Sequence, residues 1–124
     1  MRMSRELNQR GKFRSADVQQ AVRVRDEEYL RYGKWCAYSV VDDDHPITVL
    51  MFDHPENFKS AVWFNMTAPF AYLSASLPID RESYVLKAGE SLTLRYGLAV
   101  ADRELTDQEI KQFYDDWLKS VPRD

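Results

Sequence analysis

Cysteine is almost missing. Cys36 is the only one among 124 residues, so no internal disulfide framework holds the chain together. A lone thiol fits a reducing compartment, and a cytoplasmic location is the expectation that follows. Long apolar runs are missing too. The longest, such as Thr48 to Phe52 and Ala68 to Leu73, fall far short of the roughly 20 residues that a membrane helix requires. Met1 to Arg10 lacks the apolar stretch of a secretory signal. Neither sign of charge dominates: 17 basic residues face 20 acidic ones, a formal net charge of −3, which leaves no electrostatic footprint for nucleic acid. There is no Gly-rich phosphate loop, no paired metal-cysteine motif and no Gly-x-Ser-x-Gly elbow. Covalent hydrolysis on such an elbow therefore has no support.

What is present is 44% hydrophobic and 30% charged residues, the composition of one ordinary soluble domain or part of a larger one. A chain of this length buries roughly two thirds of the surface its unfolded form exposes, so a core needs no staples. Two parts are expected. Residues 1–33 form a basic, peripheral lead-in with Arg2, Arg5, Arg10, Lys12, Arg14, Arg23, Arg25 and Arg31. Ser15 would cap a helix running towards Tyr32 with Gly33 as its stop, whereas the alternation Val22-Arg23-Val24-Arg25 suits a half-buried strand. Both readings stay open.

Residues 34–121 read as an antiparallel β-sandwich portion closed by a C-terminal helix. Trp35 to Val41 and Ile47 to Phe52 flank a polar turn and predict a hairpin. Ala61 to Met66, Pro69 to Leu77, Ser83 to Lys87 and Ser91 to Val100 are further strand candidates, each bounded by Pro, Gly, Asn or Asp. In the last of these, Leu92, Leu94, Tyr96 and Leu98 are expected on one buried face. Thr106-Asp107-Gln108-Glu109 has the spacing of a capping box, and Ile110, Phe113, Tyr114, Trp117 and Leu118 follow at helical spacing. This predicts an amphipathic helix over 107–120 that docks on an outer sheet face.

Candidate chemistry is sparse. Asp42-Asp43-Asp44-His45 offers ligand types for a cation, but no glycine turn or closing acid follows as in a calcium loop, and the run reads as a hairpin turn. Asp53-His54-Pro55 sits where an apolar strand hands a titratable group to a loop, so His54 with Asp53 is the candidate acid–base pair. The alternative is that both residues bond the strand end while Pro55 stops the ladder. Trp35 and Trp63 are candidate platforms for a sugar ring, against the alternative that aromatics in so small a chain pack the core. Cys36 reads as a small buried hydrophobe.

Several segments in order carry a resemblance: Gly33-Lys34-Trp35-Cys36-Ala37-Tyr38-Ser39, the run from Ile47 to Asp53-His54-Pro55, Trp63, Pro69-Phe70-Ala71, and Leu86 to Tyr96 with its Lys87-Ala88-Gly89-Glu90 turn. Over residues 33 to 118 the chain resembles the C-terminal part of the PmoA-like family, often labelled methane oxygenase PmoA. The resemblance implies a bacterial soluble protein, half of a mutarotase-like supersandwich, associated with carbohydrate. It does not imply oxygenase chemistry, since a methane monooxygenase subunit spans the membrane and only His45 and His54 supply imidazoles here. Phe64, Met66, Ala101 and Gly97 stand where relatives often carry His or Arg, which implies a copy that has shed most polar groups of any family site.

The leading expectation is therefore a carbohydrate-associated, noncatalytic and truncated relative, with no metal or other cofactor. One alternative is a sugar-processing enzyme in which His54 transfers a proton, as in an epimerase or lyase. The other is a structural subunit, a homodimer or a chain whose partner completes the sandwich, because six or so strands leave an open edge and part of an apolar face.

Overall fold

The computed structural model describes residues 1–7, 10–78 and 82–122. Among the described residues it is mainly antiparallel β with one α-helix. β1 (Lys12–Arg25), β2 (Glu28–Asp42), β3 (His45–Asp53), β4 (Val62–Met66), β5 (Tyr72–Ser76) and β6 (Tyr96–Ala101) form one curled, open sheet in the order β5-β4-β2-β3-β6, with β1 also on β2. The helix α1 spans Asp107–Ser120, as the capping box and apolar stripe predict.

The long strand β2 organises the molecule. One edge carries β1 throughout, from Arg25↔Glu28 to Lys12↔Ser39. The other edge changes partner: Glu28–Tyr32 pair with β4, and Trp35–Asp42 pair with β3. The handover falls at Gly33, whose φ of +112° is open to glycine and rarely to any other residue. A Cβ there would also lie 2.8 Å from the Asp17 backbone nitrogen. Opposite this bend β1 slips register between Ser15 and Asp17 and again before Val22, as bulges do where a sheet curls. The lead-in is thus not peripheral. It is strand rather than helix because its period-two pattern finds a partner in β2, and Met3 and Phe13 are buried in the core.

Alternation along β2 and β3 fills two apolar layers. Cys36, Tyr38, Val40 and Val49 point into the sandwich, against Trp63, Ala71 and Leu73. Trp35, Ala37, Leu50 and Phe52 point the other way and are covered by Leu105, Ile110 and Tyr114. Burial on both faces explains why these strands read as nearly continuous apolar runs. The helix begins on a reciprocal cap: Thr106 Oγ1 accepts from the Glu109 amide at 3.2 Å, and Glu109 Oε1 accepts from the Thr106 amide at 3.1 Å.

Two turns follow local chemistry. Asp43 and Asp44 have φ of 49° and 63° between the paired residues Asp42 and His45, the mirror-image turn that matches strand twist. Asp26 has φ of 49° in the turn between β1 and β2. The C-terminal part of the chain departs from expectation in one region. Ser83–Lys87 and residues 91–95 form no strand, and only Tyr96–Ala101 does. In β6 the buried side is Gly97 and Ala101, while Leu98 and Val100 are 59% and 66% exposed. The cause is the helix, which approaches so closely that a Cβ on Gly97 would lie 2.6 Å from the Trp117 ring; the small residues therefore face it.

Candidate functional site in the bent hairpin

The site residues expected from sequence occupy three separate places. Trp63 is fully buried, and its Nε1 donates to the Gly33 carbonyl at 2.8 Å, tying β4 to the bend. Trp35 is buried beneath the helix. The two indoles face different layers of the core, so they form no common platform. Asp53 and His54 are buried at the end of β3. Asp53 Oδ1 accepts from Asn57 Nδ2 at 2.7 Å and Oδ2 from the Ala61 amide at 2.8 Å, while its carbonyl accepts from the Tyr114 hydroxyl at 3.2 Å. Asn57 in turn bridges the Arg95 amide and carbonyl at 2.7 Å each. The carboxylate thus ties the 54–61 loop to the end of β3, Asn57 carries the link on to the entry of β6, and the Asp53 backbone carbonyl holds the helix.

The imidazole of His54 is engaged as well. Its Nδ1 accepts from the Glu56 amide at 3.1 Å, which assigns the proton of the neutral ring to Nε2, and the ring meets Trp117 edge-on at 5.7 Å. No hydrogen bond between described residues joins Asp53 to His54 side chain to side chain. Burial, and secondarily the Asp53 charge, raises the hydroxyl pKa of both Tyr96 and Tyr114. Burial also pushes the Cys36 thiol up to about 12, so it is no nucleophile. Among the described residues no three His, Cys, Asp or Glu side chains converge as a metal site.

A different set of groups does converge. Because β1 and β2 bend, their two halves face one another across a cleft of about 390 Å³ lined by Gly11, Lys12, Glu27, Tyr29, Arg31, Asn65 and Thr67, with Phe13. That volume is in the range of small-molecule sites. The strand register explains the convergence: Tyr29 pairs with Asn65 and Arg31 with Trp63, so all four share the inner face. Asn65 is buried and fully employed, donating Nδ2 to the carbonyls of Tyr29 and Trp63 at 3.1 Å each. Its Oδ1 accepts from Arg31 Nε at 3.3 Å. Arg31 is thereby oriented through one nitrogen, and its terminal amino groups have no partner among the described residues.

The opposite wall depends on a close backbone approach. Gly11 donates to the Tyr38 hydroxyl at 3.1 Å, and a Cβ at Gly11 would fall 2.2 Å from that ring. The Tyr38 hydroxyl itself donates to the Leu7 carbonyl. A larger hollow of about 470 Å³ near Val41, Pro46 and Glu104 offers less chemistry, because its Arg14 is already bound to the Leu105 carbonyl and to Asp107 at 2.8 Å.

A family model described as a family of unknown function, DUF6807, matches residues 1–115. The chain belongs to DUF6807. No curated protein and no solved structure matches it. The DUF6807 match begins at residue 1 and takes in every strand, so the lead-in belongs to the family unit as it belongs to the sheet. Sequence reasoning missed the cleft of this DUF6807 chain because Tyr29 and Arg31 lie in the segment left open between helix and strand. The available signal was the glycine at position 33 beside period-two alternation, which marks a bend between half-buried strands. Among the described residues no helix is long and apolar enough to cross a membrane.

Proposed function

We propose that this chain is a carbohydrate-associated binding protein that takes a sugar in the cleft of the bent β1–β2 hairpin and performs no catalytic step on it. One observation carries the reading: Arg31 is anchored by the buried Asn65 amide with its terminal amino groups uncommitted. A polyhydroxylated ligand needs convergent donors and acceptors held by a rigid frame, with an apolar face for its ring. Arg31, Lys12, Glu27 and Thr67 are of the first kind, and Tyr29 is of the second. The resemblance to the PmoA-like family supports the same ligand class. The Asp53 carboxylate, bonded at both oxygens, and the burial of His54 support binding over proton transfer, since a general acid or base must reach a substrate proton.

The partner expected at the open sheet is compatible with this role, because β6 is separated from β2 by β3 and lies outside the cleft lining. Calorimetry with a panel of neutral and acidic mono- and oligosaccharides tests the proposal. Binding is expected for at least one member, with about a tenfold or greater loss in Arg31→Met, as removing a charged hydrogen-bond donor entails. Heat that is absent across the panel, or unchanged by Arg31→Met in a folded variant, overturns it.

A further inference from the structure

The curled sheet has three outer edges, and two of them are protected. At β5 the N-terminus seals the ladder: the Met1 amino group donates to the Leu73 carbonyl at 2.6 Å, Leu73 donates back to the Met1 carbonyl at 2.9 Å, and the Met3 amide donates to the Ala71 carbonyl at 2.8 Å. At β1 the edge is broken by register shifts and studded with Lys12, Arg14, Asp17, Arg23 and Arg25. Both devices discourage a foreign strand. β6 has neither. Tyr96-Gly97-Leu98-Ala99-Val100-Ala101 contains no charge and no proline, pairs with β3 in unbroken register, and has no strand on its other side among the described residues.

Its exposed side chains extend rows that are otherwise buried or half-buried. Register places Cys36, Met51 and Leu98 in one line and Tyr38, Val49 and Val100 in the next. Cys36, Tyr38 and Val49 are buried, whereas the β6 members Leu98 and Val100 are mostly exposed. Each core row thus ends in open water at the unprotected edge.

We propose that β6 is the two-fold edge of a homodimer, in which a second copy adds its own β6 antiparallel and continues the sheet. The pattern is self-complementary. About an axis at Leu98, each Leu98 meets the other, each Tyr96 meets the second copy's Val100, and on the helix side each Gly97 meets the second copy's Ala99. Charge favours the same arrangement. Arg95 precedes the strand and Asp102 follows it, so antiparallel pairing holds the two Arg95 residues at opposite ends of the contact and the two Asp102 residues likewise. Parallel addition would set like charges together. A closed two-fold contact leaves no further free β6 edge, which is how such an edge avoids open-ended growth.

Sedimentation across a concentration series, with circular dichroism as the check on folding, tests the proposal. The native chain is expected to dimerise reversibly, and Leu98→Lys is expected to raise the dimer dissociation constant about tenfold or more, since it places two like charges face to face at the axis. A second variant tests geometry. Leu98→Cys should cross-link to its copy under mild oxidation, while Val24→Cys, on the exposed part of β1, should not; native Cys36 is buried and silent. A monomer at every concentration, a dimer indifferent to Leu98→Lys, or equal cross-linking from both cysteine variants overturns the assignment.

Discussion

Gly33→Ala should be far more damaging than its single added methyl suggests, and the reason lies in two separable terms. The first is backbone: a residue with a side chain held at φ +112° loses about 1–2 kcal/mol. The second is crowding. The new Cβ would stand 2.8 Å from both the Ala16 Cβ and the Asp17 backbone nitrogen, where the neighbouring strand cannot swing aside as a flexible side chain would. Overpacking of that kind costs about 1–3 kcal/mol. The sum, about 2–5 kcal/mol, is a large share of a domain stability on the order of 10 kcal/mol. Gly89→Ala supplies the matched control, because Gly89 also has positive φ, +86°, with nothing within 4 Å of an added Cβ. It should lose only the backbone term. Urea unfolding of both variants, followed by circular dichroism, isolates the difference, expected at about 1–3 kcal/mol. Equal losses within about 0.5 kcal/mol would mean that the strands are not pinned together at the bend, and the cleft would lose its structural basis.

Further outcomes follow from the end of β3 and from the buried thiol. Asp53→Asn turns one acceptor oxygen into a donor among the Asn57 and Ala61 N–H groups, so unfolding stability should drop by about 2–3 kcal/mol; a neutral result in urea melts would refute its role as a tie between loop and sheet. The thiol of Cys36 has a folded pKa of about 12, above its ordinary value of 9.0. The unfolded chain therefore releases this proton first, and stability should be undiminished by this group below pH 9 and fall progressively between pH 9 and 12. The raised hydroxyls of Tyr38, Tyr96 and Tyr114 act in the same direction at the alkaline end. A flat stability profile between pH 9 and 11 would contradict the burial of Cys36.

The parts of this fold legible in the sequence are those whose signals are local. The helix announces itself by a cap and a stripe, and both are realised in Thr106, Glu109, Ile110 and Tyr114. The hairpin from Trp35 to Phe52 is equally direct, since turn residues with positive φ and period-two alternation agree. The last strand was harder to read because Leu92, Leu94, Tyr96 and Leu98 alternate as a core face should, yet the element that covers β6 lies on the other side, over glycine and alanine. Alternation fixes which residues share a face, not which face is buried. The cleft was out of reach for another reason. It exists only because β2 changes partners at Gly33, a fact of pairing between distant segments that no single window of sequence contains. Asp53 was visible as a carboxylate at a strand end, but its role as an anchor depends on Asn57, Ala61 and Tyr114, which only folding brings to it.

The central claim is most directly tested by a nuclear magnetic resonance titration of the isotope-labelled chain with any saccharide that gives heat. The Arg31 Nε–H, the Asn65 side-chain amide and the backbone amides of Gly11, Tyr29 and Thr67 should shift together along one binding curve, while the signals of His54 and Trp117 stay in place. Shifts gathered instead around His54, Asn57 and Trp117, with the Arg31 and Asn65 signals unmoved, would contradict the account and return the ligand to the end of β3.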